Sequence, residues 1–329
     1  MPERELDAKT VASLITDATA APSMHNAQPW RFRFLSGPRA VQLYADLDRA
    51  MPQTDPSRRA LHLGCGAALF NLRVAAAHAG WEPETHLLPD PENPQLLATV
   101  HLTDPVRAGG RLAGLHPAVS RRHTSRHPFS DKEVPEQLRT ALREAAAEEG
   151  AQLTFPGAWH IDLLLELVRD AEGHDTLHPD RFDDVARWTR IGAADSDTAT
   201  DGIPEYAFGP RKRDGKAPVR DFAGRRPVAD RGTTAFEQNP QLALLGTGSD
   251  QPADWLRAGQ AMERVLLLAT LEGLATALTS HPLEVPELRR LTRDPLSDTG
   301  AAQMVLRLGY GPQGTGTPRR PVDEVLKMR

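Results

Sequence analysis

Two short segments of this chain concentrate side chains that can bind a polar ligand, and the first lies at residues 21–30. It reads A-P-S-M-H-N-A-Q-P-W, and its Asn26 and Gln28 each offer amide donors and acceptors. Because Pro29 disfavours a helical backbone at the residue before it, we expect Gln28 to be extended. Side-chain amides suit a planar, hydrogen-bonding ligand such as a flavin or a nucleobase. The alternative is a polar loop that partly buries Trp30.

The second segment, residues 120–129, is a cluster of basic and hydroxyl side chains. Its sequence S-R-R-H-T-S-R-H-P-F places Arg121, Arg122 and Arg126 around Thr124. Guanidinium groups neutralise phosphate through paired hydrogen bonds, and hydroxyl groups orient it. The cluster therefore predicts a phosphate site. The alternative is a solvated basic loop, which is what runs of charge usually form.

The composition excludes several classes of protein. The 329 residues carry a net charge of −5, which does not indicate binding to nucleic acid or to an acidic membrane surface. The one cysteine, Cys65, excludes an intramolecular disulfide and a cysteine-rich metal site. The twelve histidines show no H-E-x-x-H spacing, so we predict no metal. We find neither a signal-peptide pattern nor an uninterrupted apolar run that could span a membrane, so we expect a cytoplasmic protein.

The elements around the two segments predict an α+β fold. Helical spacing precedes the first segment, and two alternating stretches joined by S-G-P follow it as a β-hairpin. A nearly all-apolar helix at 56–80, which Asp55 or Ser57 can cap, belongs in the core. A second buried helix is predicted at 254–278. The remaining predictions are strands near 96–102, 152–155, 242–247 and 304–310 and helices near 136–149 and 159–168.

The least regular region spans about residues 174–240. It combines charged runs such as R-K-R-D-G-K at 211–216 with scattered aromatic residues, which indicate that part of it packs against the rest of the protein. Irregular stretches of this length are usually functional lids or disordered. We interpret the region as a lid.

Four segments together resemble one family. A-P-S-x-x-N-x-Q-P-W resembles the flavin-contacting loop of the nitroreductase family of FMN enzymes, and with His25 before the Asn it is closer to the actinobacterial Acg-type subgroup. The arginine segment, W-L-R-A-G-Q-A at 255–261 and T-P-R-R-P-V-D-E-V at 317–325 resemble the phosphate-binding segment, core helix and C-terminal phosphate-binding element of that family. D-G-I-P at 201–204 resembles the segment that covers the flavin in Acg-type proteins. The resemblance spans nearly the whole chain.

The resemblance implies which residues hold FMN. Arg122, Thr124 and Arg126 match the positions that bind its phosphate and ribityl chain. Ser280 or His281 matches a loop that approaches the reactive edge of the flavin, although a simple turn after a helix is equally consistent with these residues. The full set of implied cofactor-binding residues is His25, Asn26, Gln28, Pro29, Trp30, Arg31, Arg122, Thr124, Arg126, Ser280, Thr317, Arg319 and Arg320.

The resemblance also implies an architecture. In ordinary family members the arginine segment precedes the N-x-Q-P-W loop, whereas here the order is reversed. A duplicated unit explains the reversal, although we find no clear internal sequence repeat. We therefore expect a nitroreductase-like α+β fold with antiparallel or mixed sheets and long central helices, folded as a single-chain pseudo-dimer. Its halves would be residues 1–115 and 116–329, with a lid-like insertion at about 174–240.

The function implied is an FMN-binding oxidoreductase that passes reducing equivalents from NADPH or NADH to a nitro compound, a quinone or a related small molecule. Ordinary members are homodimers, so this chain is expected to be a monomeric pseudo-dimer or a homodimer. Two alternatives stay open: a lid-closed flavin-binding protein for storage or sequestration, and a tailoring enzyme for a dedicated metabolite. Because the flavin carries the chemistry, no side chain is nominated as catalytic.

Overall fold

The structure is a computed structural model that describes residues 6–104, 110–177, 180–224, 226–293 and 300–329. Residues 178–179 and 225 of the predicted lid therefore lie outside the described residues. The helices are α1 (Ala8–Thr19), α2 (Arg59–His78), α3 (His116–Val119), α4 (Glu136–Glu148), α5 (Ala158–Leu177), α6 (Asp180–Arg187), α7 (Ala193–Thr198), α8 (Pro252–Leu271), α9 (Pro286–Leu291) and α10 (Val322–Val325).

The described strands form two larger sheets and two two-stranded sheets. The strands are β1 (Trp30–Leu35), β2 (Ala40–Ala45), β3 (Glu82–Leu87), β4 (Leu96–Thr103), β5 (Gln152–Thr154), β6 (Thr189–Arg190), β7 (Ile203–Pro204), β8 (Arg211–Asp214), β9 (Thr233–Ala235), β10 (Leu242–Thr247), β11 (Ala275–Thr279), β12 (Ala301–Gly309) and β13 (Leu326–Met328). The first sheet has the order β13-β1-β2-β4-β3 and the second the order β11-β12-β10-β5. In these two larger sheets β13 pairs with β1 in parallel, and the other neighbours are antiparallel. The two-stranded sheets pair β6 with β7 and β8 with β9. The predicted α+β class with mixed sheets is confirmed.

The hairpin after the first segment is confirmed, whereas β3 was not predicted. Strands β1 and β2 pair from Trp30 with Ala45 to Leu35 with Ala40 around a turn at 36–39. Strand β3 reads E-P-E-T-H-L and lies at the edge of its sheet. Its charged residues and its proline are typical of an edge strand and hide the strand signal.

The long core helix predicted at 56–80 begins at Arg59 with Arg58 at the N-cap position, and the Asp55 side chain satisfies two N–H groups of its first turn. The Asp55 carboxylate accepts hydrogen bonds from the backbone N–H groups of Ala60 at 3.0 Å and Leu61 at 2.9 Å. Burial raises the pKa of Asp55 to about 6, although these two hydrogen bonds oppose the shift. The Asp55 carboxylate is therefore buried at the start of the helix and is not exposed to solvent.

The helix predicted at 254–278 is only partly right. Helix α8 ends at Leu271, and Ala275–Thr279 form strand β11, which pairs with β12. Gly273 has φ 78°, a left-handed conformation that ends the helix, and Leu274 N donates to Ala269 O across this end. The run of alanine and leucine continues through the break, so hydrophobicity alone did not mark it.

Helices α2 and α8 cross at the centre of the fold through glycine. A Cβ on Gly66 would lie 2.4 Å from the carbonyl oxygen of Leu256, and a Cβ on Gly259 would lie 2.2 Å from that of Leu63. Only glycine allows backbones to approach this closely. The contact is reciprocal, as in an interface between two copies related by a two-fold axis.

The two sheets share one order of elements. Around the first sheet, the chain passes in turn through α1, β1, β2, α2, β3 and β4. Its four strands lie in the order β1-β2-β4-β3. Around the second sheet, the corresponding elements are α4, β5, β10, α8, β11 and β12. The four strands lie in the matching order β5-β10-β12-β11. Strand β13, at the end of the chain, then joins the first sheet beside β1.

One described helix has the length and composition of a membrane span. It is α2, and 83% of its most apolar window is buried inside the protein. Its packing against α8 at the centre of the fold accounts for much of that burial.

Candidate functional site

A cavity of about 620 Å³ brings together segments that are far apart in the sequence. Its volume is in the range of small-molecule and cofactor sites. The wall includes the loop at 22–26, the start of α2, the segment at 122–126, residues of the region 203–222, the turn after β11 and the C-terminal tail at 315–319. Eight of the predicted site residues line it: His25, Asn26, Arg122, Thr124, Arg126, Ser280, Thr317 and Arg319.

The loop at 23–28 adopts a backbone that L-residues rarely occupy. His25, Asn26 and Gln28 have φ values of 49°, 55° and 52°, so the expectation of an extended Gln28 is wrong. Each such residue costs about 1–3 kcal/mol and persists only where its surroundings hold it. Gln28 N donates to Ser23 Oγ at 2.9 Å, and the Gln28 side chain donates to Thr200 O at 2.9 Å. Tertiary hydrogen bonds therefore override the local preference set by the following proline.

Asn26 ties three parts of the chain together. Its Nδ2 donates to Gly202 O at 2.9 Å and to Pro318 O at 3.0 Å, and its Oδ1 accepts from Arg319 Nη1 at 3.1 Å. Gly202 N in turn donates to Asn26 O at 3.1 Å. Both amide donors of Asn26 are thus used within the protein, and its contact with a cofactor stays a prediction.

Five predicted site residues do not line the cavity. Trp30 is fully buried in the core, and Arg31 pairs with Asp46 at 2.7 Å. Gln28 accepts a hydrogen bond from the backbone N–H of Arg320 at 2.9 Å. These residues lie on the side of the loop away from the cavity. The five predicted residues outside the cavity wall are Gln28, Pro29, Trp30, Arg31 and Arg320.

Arg122 and Arg319 lie deep in the wall. Arg122 is 2% exposed and donates from Nη2 to Ala20 O at 3.0 Å. Arg319 donates to Thr19 O at 2.7 Å and from Nη1 to Thr317 Oγ1 at 2.7 Å. Burial, followed by the charge of Arg122, lowers the pKa of Arg319 to about 9. Both cations donate to backbone carbonyls, and the buried Glu263 carboxylate lies 3.3 Å from Nε of Arg122.

Arg126 is a third cation of the wall and, unlike Arg122, it pairs with no acidic side chain among the described residues. Its Nη1 donates to Ala207 O at 2.9 Å, and its guanidinium lies 5.1 Å from the centre of the Phe222 ring. Burial lowers its pKa to about 10, so the group still carries its charge at neutral pH. Such an uncompensated buried charge favours an anionic ligand.

Arg220, which sequence reasoning missed, joins a cluster that contains the predicted residues His25, Ser280 and His281. It donates from Nε to His281 Nε2 at 2.6 Å, from Nη1 to His25 Nε2 at 3.2 Å and from Nη2 to both oxygens of Glu284 at 2.8 Å. Ser280 Oγ donates to Glu284 at 2.7 Å. The only sequence signal was its place near Phe222 in the irregular region.

The two histidines of this cluster are neutral. Burial, followed by the charge of Arg220, holds the pKa of both His25 and His281 well below the ordinary 6.5. Since a guanidinium only donates, each histidine accepts at Nε2. The cluster therefore fixes the region around Arg220 against the loop at 23–28 and the turn after β11.

The segment 200–222, here called the covering segment, forms part of the cavity wall through Ile203, Pro218, Val219, Arg220 and Phe222. It includes D-G-I-P at 201–204. Asp201 pairs with Arg49 at 2.9 Å and also with Arg190. Hydrogen bonds of Asn26, Gln28 and His25 hold the segment to the loop at 23–28. Arg49 adds a bridge, because it donates both to Asp201 and to Ala27 O.

Across the part of the chain that the structure describes, no group of three or more His, Cys, Asp or Glu side chains could hold a metal ion. Cys65 is buried, and burial raises the pKa of its thiol. Its thiol donates to Pro29 O at 3.1 Å, so it packs beneath the loop rather than reacting.

The fold resembles that of a solved nitroreductase. The crystal structure of a protein from Anabaena variabilis titled a "putative nitroreductase" superposes with a TM-score of 0.51 at 12% identity, covering 94% of this chain and 90% of that one. No protein-family model matches the chain.

Full-length relatives come from Mycobacterium tuberculosis. One, named "Putative NAD(P)H nitroreductase Rv3131", is 32% identical over 98% of this chain and 92% of its own length. Another, named "Putative NAD(P)H nitroreductase acg", is 30% identical over 100% of this chain and 98% of its own length. The chain belongs to the nitroreductase family, among its Acg-like members.

Proposed function

We propose that the protein is an FMN-dependent oxidoreductase that transfers reducing equivalents from NADPH or NADH to a small-molecule acceptor such as a nitro compound or a quinone. The observation that carries the proposal is one cavity that gathers Arg122, Thr124, Arg126, Thr317 and Arg319 from two distant parts of the chain. FMN supplies the chemistry when bound, because a flavin accepts a hydride and passes electrons on to a second substrate.

The donor set of the cavity fits a phosphorylated ligand. Arg126 carries a buried charge that no described acid neutralises, and Thr124 places a hydroxyl in the same wall. Arg122 and Arg319 add positive charge from deeper in the wall. We assign the phosphate to Arg122, Thr124, Arg126 and Arg319. We assign the flavin ring to the part of the cavity walled by His25, Ser280 and the covering segment.

The residues around the ring position would exclude water and fix polarity. Phe222 and Ile203 present apolar surface, whereas Arg220 is neutralised by Glu284. Neutral His25 and His281 add no charge. We therefore expect the ring to meet a largely apolar wall with few polar groups.

A second candidate is a flavin-binding protein that does not turn over. It is favoured by the bonds between the covering segment and the loop at 23–28, where Asn26 and Gly202 exchange hydrogen bonds in both directions. If these bonds persist in solution, a nicotinamide could not reach the flavin. Rapid reduction of bound FMN by NADPH or NADH would exclude this candidate.

We further infer that the chain is a pseudo-dimer of two related halves. The shared sheet order and the reciprocal glycine contact support this inference. The end of the chain departs from the proposed boundary, because β13 lies in the sheet of the first half. Whether the protein is a monomer or a homodimer, and its cytoplasmic location, stay predictions.

The first experiment is the absorption spectrum of the purified protein, followed by assays with NADPH or NADH and a nitroaromatic or quinone acceptor. A protein that binds FMN and turns over supports the first candidate. A protein that binds FMN and is not reduced supports the second. Failure to bind FMN would refute both.

Replacing Arg126 tests the phosphate assignment. We expect Arg126→Met to weaken FMN binding about 10–100-fold, the equivalent of one lost charge-assisted contact, while riboflavin binding is retained. Folding should survive, because the change leaves no described carboxylate unpaired. The matched control is Arg121→Ala, which removes a neighbouring exposed arginine outside the cavity wall. Equal FMN affinity in both variants and the wild type would contradict the assignment.

A further inference from the structure

A carboxylate is buried directly behind the arginines of the cavity. Glu263 lies on α8, and its side chain is fully buried. Its Oε1 lies 3.3 Å from Nε of Arg122, and the amide of Asn71 on α2 also faces it. None of these contacts reaches hydrogen-bond geometry within the described residues. The charge of Arg122 is therefore the main interaction of the carboxylate, with the Asn71 amide beside it.

Few groups determine the ionisation of Glu263. Burial raises its pKa to about 7, and the charge of Arg122, the amide of Asn71 and, more weakly, the charge of Arg319 oppose the rise. His123 lies beside both arginines, and burial lowers its pKa below 6.5, so it is neutral above pH 7. Arg319 stays charged up to its pKa of about 9. Between pH 7 and 8.5, Glu263 is thus the group here whose charge changes most.

Glu263 and a ligand phosphate would compete for the same cation. A phosphate group bound at Arg122 places further negative charge near the Glu263 carboxylate, and like charges at close range favour protonation of the weaker acid. The nearby protein has little water to screen this repulsion. Binding of the phosphate should therefore drive a proton onto Glu263.

We propose that Glu263 is a proton-linked positioning residue: its carboxylate neutralises Arg122 in the free protein and takes up one proton from solvent when a phosphate monoester binds that arginine. The inference rests on the proposed FMN site. No covalent bond other than the new O–H forms, and the charge that Arg122 shared with the carboxylate becomes available to the phosphate. FMN binding would then weaken as the pH rises, although the phosphate itself stays dianionic.

The first test compares FMN with riboflavin on the flavin-free full-length protein. Calorimetry at pH 8 in two buffers of different ionisation enthalpy measures proton uptake. We expect close to one proton for FMN and none for riboflavin, because only FMN carries the phosphate. The second phosphate pKa is about 6, so the ligand does not titrate at this pH. Between pH 7.5 and 8.5 the FMN dissociation constant should rise about eightfold, as expected for one linked proton.

The second test uses Glu263→Gln with Glu272→Gln as its control. Glu272 is exposed at the end of the same helix. Glu263→Gln should bind FMN with the same affinity at pH 7.5 and 8.5 and without proton uptake, whereas Glu272→Gln should behave as the wild type. A merely structural role would leave the pH dependence unchanged.

Two results overturn the inference, and they can be told apart. FMN binding by the wild type without proton uptake refutes the role of Glu263 alone and leaves the proposed function standing. Failure of the wild type to bind either flavin refutes both. The measurement on the wild type decides the matter even if Glu263→Gln does not fold.

Discussion

In the pseudo-dimer that we propose, the two halves have the same order of sheet strands and differ in the links between their elements. In the first half, β1 and β2 are joined by residues 36–39, whereas in the second half β5 and β10 are joined by residues 155–241. The link between the first helix and the first strand is instead longer in the first half, where it joins α1 to β1, than in the second half, where it joins α4 to β5. Residues 20–29 form the strained loop of the first half, whereas α4 reaches β5 through a short turn at Gly150.

This difference shows how one scaffold can build an asymmetric site. The first half provides the loop at 23–28, and the second provides the covering segment that bonds to that loop. The central helices stay equivalent, since the same spacing separates Arg59 from Pro252 and Gly66 from Gly259. The differences in length between the two halves thus lie in the connecting segments, where added residues disturb the core least.

The largest expected effect tests the equivalence of the central helices. Gly66→Ala and Gly259→Ala should each lower the free energy of unfolding by at least about 3 kcal/mol, because each Cβ would overlap a backbone carbonyl of the other helix. Chemical denaturation measures the loss.

The controls for this pair are Gly37→Ala and Gly157→Ala, one in each half, where an added Cβ meets nothing within 4 Å. Similar losses for Gly66 and Gly259 would support the two-fold relation. A loss confined to one of them would break it.

A smaller effect is expected where the halves differ. Arg220→Met should lower the free energy of unfolding by about 2–4 kcal/mol, because it leaves the buried Glu284 with weaker partners. It should also speed hydrogen exchange in the covering segment while α2 and α8 keep their protection.

Arg213→Ala is the matched control, since Arg213 is exposed on β8 in the same long connection. If hydrogen exchange in the covering segment were unchanged in Arg220→Met, the cluster around Arg220 would not be what holds that segment.

The smallest loss of unfolding free energy is expected at two glycines that end the central helices. Gly80 and Gly273 follow α2 and α8 with φ values of 81° and 78°. Replacing either by alanine should cost about 1–2 kcal/mol, because a Cβ is unfavourable in the left-handed region. Thermal or chemical unfolding should give similar losses, and clearly unequal ones would indicate that the two helix ends are held differently.

The sequence by itself determined the family and the α+β class, and it predicted segments that meet at one cavity. Short motifs sufficed, because the residues that line the cavity at 25–26, 122–126 and 317–319 lie in contiguous stretches with distinctive residue types. The core helix at 59–78 was also readable, since its apolar residues are continuous. The proposed internal repeat was not readable, because α2 and α8 share a few small residues and little else.

Only the tertiary structure decided which predicted residues face the cavity and which support it. Gln28 and Arg320 hold each other behind the loop, and no local pattern distinguishes that role from ligand contact. Arg220 and Glu263 gain their importance from partners in distant parts of the chain, and burial changes their chemistry only after those parts meet. Contacts between remote residues, and the desolvation that accompanies them, are properties of the folded chain that a sequence pattern does not contain.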